Sequence, residues 1–353
     1  MTQKISRRSL LVGASALTAG SAFSTYVRAA APPPVPTTQA LIDAAKKEGK
    51  VVWYTSVDTK LAQQIGKAFE AKYGVPCAVE RTGAERVLQR IGQEYAANVH
   101  AVDVVNSSDA SHLVIWKEKG WLEAFVPEDV AKYYPAEHKD PDGMFASFRI
   151  FLCVIAYNTK LVKKEEAPKS FHDLLDPKWK GKIVKSHPGY SGTTMTATFQ
   201  IARDIGWDFF EQLAKQNIMQ VQSAADPPKK LALGERAVQA DGVEYLIFSE
   251  KESGQPVEPV YATEGTPLII GPNGMFKAAP HPNAAKLFQN YCFSPECQQL
   301  CIDIGGLRSA HPQAKEKAGR TPLSKIKLMK DDPAGVLKAA EEIKARYVKT
   351  FHV

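Results

Sequence analysis

Past residue 30 this chain of 353 residues contains no apolar run near the roughly 20 residues that cross a bilayer. It also lacks the short patterns that announce common chemistries. There is no Cys-x-x-Cys pair, no His-Glu-x-x-His and no phosphate-binding P-loop, and Gly189-Tyr190-Ser191-Gly192 departs from the Gly-x-Ser-x-Gly elbow of hydrolases. The eight histidines are scattered without metal-ligand spacing. These absences point away from an enzyme, and no cofactor is expected. No internal repeat occurs, which removes solenoids and propellers.

A large excess of one sign of charge is also lacking. Residues 1–30 carry Lys4, Arg7, Arg8 and Arg28 and no acidic side chain, so without them the formal charge falls from +7 to +3. So small an excess gives no reason to expect nucleic acid as a partner, while leaving room for a local positive field around a small anion. The five cysteines, Cys77, Cys153, Cys292, Cys297 and Cys301, are an odd number, so not all can pair with one another. The last three fall on an expected helix and read as small buried apolar residues.

What is present begins with Ser6-Arg7-Arg8-Ser9-Leu10-Leu11, which opens a basic segment, an apolar stretch to Phe23 and the small residues Ala29-Ala30-Ala31. This is the three-part form of an export signal over residues 1–30, and the paired arginines resemble the twin-arginine type. A proline-rich linker over 31–38 follows. The expectation is a soluble periplasmic protein.

The core of the chain is a repeated unit. Val51 to Thr55 reads as a buried strand, and Leu61, Ile65, Ala68 and Phe69 recur behind it at helical spacing. Two further units follow: Cys77 to Arg81 before Thr82-Gly83, and Val102 to Val105 before Asn106 to Asp109. Three strand–turn–helix units predict a parallel sheet with its polar turns along one edge, where ligands bind in open α/β sheets. Phe148 to Tyr157 reads as a strand leaving this lobe. Beyond it, Lys182 to Lys185 leads into the turn His187 to Thr194, and Ala237 to Ala240 is expected to end at the turn Asp241-Gly242, before Tyr245. A charged tail ends in an expected surface helix, Ala334 to Tyr347.

The candidate site residues are those of the turns: Thr55, Ser56, Asp58, Thr82, Gly83, Ser107, Ser108 and Asp109 from the first lobe, with Ser191, Gly192, Thr193, Thr194, Asp241 and Tyr245 from the second. Most are good helix caps, and capping accounts for any one of them as well as ligand contact does. Convergence on one cleft is what capping does not require. Gly192 lets a ligand approach the backbone, and the hydroxyls beside it suit a phosphate or carboxylate. Arg149 interrupts an apolar run, and a buried guanidinium needs an anionic partner, either the solute or an internal carboxylate such as Asp103. Tyr157 fits hinge packing as well as solute contact.

Several segments carry a family resemblance: Val52-Trp53-Tyr54-Thr55-Ser56, Ala156-Tyr157-Asn158-Thr159-Lys160-Leu161-Val162, Phe171 to Lys182, Glu264-Gly265-Thr266-Pro267, Ala284-Ala285-Lys286-Leu287-Phe288 and Ser294-Pro295-Glu296-Cys297-Gln298. Together they resemble the periplasmic solute-binding proteins of ABC importers, in the branch of ferric-iron, hexose-phosphate, phosphonate, thiamine and polyamine binders. The resemblance implies a type 2 periplasmic-binding fold: two α/β lobes (39–156 with 267–353, and 157–266) joined by a two-strand hinge. It implies a monomer that closes on a small anionic or zwitterionic solute and meets an inner-membrane permease. Ferric binders of this branch usually carry adjacent tyrosines in the second lobe. Here Asp241-Gly242-Val243-Glu244-Tyr245 offers one, so the ferric alternative would draw on Tyr245, Asp241 and Glu244. An exported sensor or an enzyme on the same scaffold is a further alternative.

Overall fold

The computed structural model describes residues 30–353, so the export-signal reading falls almost entirely outside the described residues. The linker forms neither helix nor strand, and Val35 is bridged to Pro127.

The elements follow the periodicities of the chain. α1 (Gln39–Glu48) precedes β1 (Val51–Thr55), α2 (Thr59–Tyr73), β2 (Cys77–Arg81), α3 (Ala84–Ala96), β3 (Val104–Asn106) and α4 (Ala110–Glu118). Then come β4 (Leu122–Glu123), α5 (Glu128–Tyr133) and the long β5 (Phe145–Asn158). The second lobe holds β6 (Ile183–Ser186), α6 (Gly192–Asp204), α7 (Asp208–Ala214), β7 (Met219–Val221), α8 (Asp226–Ala232), β8 (Val238–Val243), α9 (Glu244–Glu252) and β9 (Val257–Val260). The chain returns through β10 (Leu268–Phe276) and ends with α10 (Pro282–Phe293), α11 (Pro295–Asp303) and α12 (Pro333–Phe351).

The strands run in the order β2-β1-β3-β10-β5-β8-β6-β7, with β4 beside β10 and β9 beside β5. β1 pairs in parallel with β2 and β3, as three successive strand–turn–helix units require, and β6 pairs in parallel with β7 and β8. Strand β5 belongs to both halves: up to Leu152 it pairs antiparallel with β10, and from Cys153 onward with β8 and β9. A strand shared in this way holds two sheets together while letting them flex at one place.

Each half has its own core. Around β1, Trp53, Phe69, Phe288 and Tyr291 pack ring against ring at centroid separations of 5.0 to 5.6 Å. In the other half Trp179, Phe210, Leu213 and Val238 are buried together. α12 joins this second core through Val336, Ile343 and Tyr347, and Tyr347 is completely buried. The expected surface helix is therefore a structural strap, because its apolar residues at 336, 343 and 347 form one stripe buried in the second core while the helix also packs against α4 of the first lobe.

Two further expectations change. Asp241-Gly242 lies inside β8, continuing a strand whose six residues are all buried, and is not a turn. The three late cysteines divide between two helices, Cys292 on α10 and Cys297 and Cys301 on α11, because Ser294-Pro295 ends one helix and caps the next. All five cysteines are free thiols, and all but Cys77 are buried.

Candidate functional site

Where the carboxyl ends of the strands from both lobes face each other, the chain encloses a cavity of about 530 Å³. Its first-lobe wall comes from the ends of β1, β2 and β3 and from β5, supplying Ser56, Arg81, Gly83, Glu85, Arg86, Ser108, Arg149 and Phe151. Its second-lobe wall comes from the turn before α6, the end of β7 and the start of α9, supplying Tyr190, Ser191, Gly192, Thr193, Gln222, Ser223 and Tyr245.

Arg149 is the centre of this arrangement. It lies on β5 opposite Gly271 of β10, where a Cβ would stand 2.6 Å from the Arg149 Nε. Only glycine leaves the guanidinium room to run along the sheet. Its Nη2 donates to Ser56 Oγ at 2.8 Å, and its carbon sits 5.4 Å from the centre of the Phe151 ring. The side chain is 2% exposed, and its Nε has no hydrogen-bond partner. No ion pair reaches it among the described residues. Burial pulls its pKa down to about 10, so it stays charged at neutral pH. Asp103 is not its partner, since that carboxylate accepts from the amides of Val52 and His281 and bonds the His281 ring. A buried cation without a counter-ion is costly unless something brings one.

The surrounding groups match an anion. Ser56 Oγ also accepts from the Ser108 amide at 2.9 Å, which ties the β1 and β3 turns together. Arg81 and Arg86 add positive charge from the β2–α3 turn, against one lining carboxylate, Glu85. Across the cleft Ser191 caps α6, accepting from the Thr194 amide at 3.3 Å, and Gly192 and Thr193 present that helix's first turn. Free amides and the helix dipole there favour negative charge. The lobes approach so closely that a Cβ on Gly192 would lie 2.7 Å from Asp109 Cβ. Burial raises the pKa of the Tyr245 phenol, and the nearby Arg149 charge partly offsets this.

Of the residues singled out from sequence, Ser56, Gly83, Ser108, Arg149, Ser191, Gly192, Thr193 and Tyr245 meet around this cavity. The others stand outside its lining. Thr55 Oγ1 accepts from the Val57 amide, and Thr82 is joined through its amide to the Thr55 carbonyl. Asp58 and Asp109 cap α2 and α4. Ser107 Oγ bonds the Asp109 amide and His112, and Thr194 Oγ1 bonds Ser186 Oγ. Tyr157 is buried in the hinge strand between β8 and β9. Asp241 is ion-paired to Lys185 at 2.6 Å, both side chains 1% exposed. Glu244 is held by Arg308 at 2.7 and 2.9 Å and by the Tyr261 hydroxyl. Both Glu244 oxygens are thereby engaged, whereas Asp241 gives one oxygen to Lys185 and keeps Oδ1 buried without a partner.

Sequence reading missed Arg81, Arg86, Tyr190 and the Gln222–Ala225 turn. The two arginines had a signal: cations flanking the amino end of a helix oppose its dipole, and such a placement calls for an anion beside them.

Residues 101–326 match the family model described as bacterial extracellular solute-binding protein. The chain is 28% identical over 282 residues to an uncharacterised protein of Haemophilus influenzae, covering 75% of this chain and 79% of that one. It is 24% identical over 312 residues to iron uptake protein A1 of Synechocystis, covering 84% and 85%. Among solved structures it is similar to the periplasmic binding protein AfuA of Actinobacillus pleuropneumoniae with fructose-6-phosphate bound, with a TM-score of 0.78, 27% identity, and coverage of 86% and 99%. The fold is shared also with iron-bound HitA of Pseudomonas aeruginosa, at a TM-score of 0.75, 21% identity, and coverage of 86% and 99%. With two lobes, a shared hinge strand and a cleft between them, the chain belongs to the family of bacterial extracellular solute-binding proteins, in the type 2 periplasmic-binding fold of ABC-importer receptors.

Proposed function

We propose that this receptor captures a small anionic organic solute, a phosphate ester, phosphonate or carboxylate, in the periplasm and delivers it to an ABC permease. The observation that carries this reading is Arg149, a buried guanidinium lining the cavity with no carboxylate partner among the described residues. Arg81, Arg86 and the amino end of α6 supply further positive potential, and the hydroxyls of Ser56, Ser108, Ser191 and Thr193 supply hydrogen bonds. In AfuA, at 27% identity, the bound solute is a sugar phosphate, which supports the same class here. The protein acts as a monomer, is exported by its amino-terminal signal, and binds its solute without transforming it.

Ferric ion is the second reading, favoured by the likeness to an iron uptake protein and by the phenol of Tyr245. Against it stand the engagement of Asp241 and Glu244 and the arginines around that phenol. A thermal-shift screen of the purified protein against phosphate esters, aminophosphonates, carboxylates, thiamine and ferric citrate separates the two, because a ligand of the native state raises its melting temperature. An organic phosphate or related anion is expected to give the shift. A shift from ferric ion alone, with tyrosinate colour, would reverse the ranking.

A further inference from the structure

Beside the solute cavity, on the first lobe, Glu85, Asp109 and His112 converge so that one ligand atom from each lies within 4.8 Å of the others. Glu85 stands on the first turn of α3, Asp109 caps α4, and His112 follows on the first turn of α4. His112 is 2% exposed. Its Nε2 points between the carboxylates, 3.4 Å from Glu85 Oε1 and 3.8 Å from Asp109 Oδ2. The second exceeds an ordinary hydrogen bond, and the first is a long one to Glu85. They are close to the separation of about 3.3 Å between neighbouring nitrogen and oxygen ligands around a tetrahedral zinc ion.

The rest of the ring is set for the same task. Nδ1 lies 3.0 Å from Ser107 Oγ. With the proton on Nδ1 donating to that oxygen, the Nε2 lone pair is free for a metal, as the outer partner of a ligating histidine arranges. Asp109 uses Oδ1 to cap α4, which leaves Oδ2 for the cluster. The neighbouring cation, Lys344 of α12, acts on both Glu85 and His112 but is bonded to Glu341 at 2.9 Å.

We propose that Glu85, Asp109 and His112 form a binding site for a divalent transition metal, zinc by its ligand chemistry, distinct from the solute cavity and adjoining it through Glu85. Two carboxylates and a neutral imidazole balance a doubly charged ion, and water completes the shell. Glu85 is also the one carboxylate lining the cavity, so tying it to a metal removes the charge that opposes an anionic solute.

The test is a calorimetric titration of the chelator-treated, dialysed protein with zinc chloride and no solute, so it stands apart from the identity of the solute. About one ion per chain is expected. H112Q and E85Q should each weaken binding by about tenfold or more, as loss of a ligand does at least as severely as loss of its outer partner. H172Q, which alters an exposed histidine beside Glu264, should leave it unchanged. Cobalt(II) should give the visible absorption of a four-coordinate site in wild type and lose it in E85Q. E85Q alters a half-buried first-turn residue and decides the matter alone if H112Q does not fold. Absence of zinc uptake by wild type, or equal affinity in E85Q, would overturn the proposal.

Discussion

The Arg149 guanidinium donates to Ser56 Oγ at 2.8 Å within the first-lobe wall of the cleft, and among the described residues no carboxylate pairs with it. A structural arginine would be expected the other way round, paired and essential for folding. Replacing Arg149 by methionine removes a buried charge without stranding a partner, so the melting temperature of the ligand-free protein should hold or rise. A fall of many degrees would make Arg149 a structural residue.

Gly192 and Asp109 meet where the two lobes touch. G192A places a Cβ 2.7 Å from Asp109 Cβ, a contact that opening of the cleft relieves. The expected cost falls on closure: solute affinity weakens by roughly 1–3 kcal/mol while ligand-free stability stays within about 0.5 kcal/mol. Small-angle scattering with and without solute reads this as a smaller compaction in the variant.

Asp241 is paired with Lys185 deep in the second lobe, at 2.6 Å. D241N strands a buried ammonium and should destabilise the protein by about 3–5 kcal/mol, as breaking a buried pair does. Denaturant unfolding measures it. An unchanged midpoint with lost solute binding would instead return Asp241 to the site.

Asp331, before α12, has its carboxyl pushed up to about 7 by burial first and by the negative charge of Asp109 next. A raised acid contributes stability that is complete below its unfolded pKa and is lost as pH rises through the folded one. D331N should therefore match wild type near about pH 4 and be the more stable of the two above about pH 7. Melting curves across that range check the sign.

These residues also show where sequence was a sufficient guide. Val51 to Thr55, Cys77 to Arg81 and the apolar stripes behind them are local patterns, and local patterns determine strands, helices and the edge on which the turns gather. Asp58, Asp109 and Asp241 look alike in sequence but differ in space: two cap helices a residue or two away, and the third answers Lys185, fifty-six positions distant. Which carboxylate is free is a property of the assembled sheet. The same holds for α12, whose stripe at 336, 343 and 347 was present in the sequence while the lobe it covers was not. Arg149 was legible because one charge inside an apolar strand has few explanations. Gly271, which makes room for it, carries no such mark.

The most direct test of the anion-receptor account is a calorimetric titration of wild type and R149M with whichever organic anion gives the largest thermal shift. The account predicts one-to-one binding to wild type and a loss of about 2–5 kcal/mol in R149M, the range for truncating a buried charge that meets its partner in the complex. Equal affinity in the two proteins, or binding of ferric ion in place of any organic anion, would contradict it.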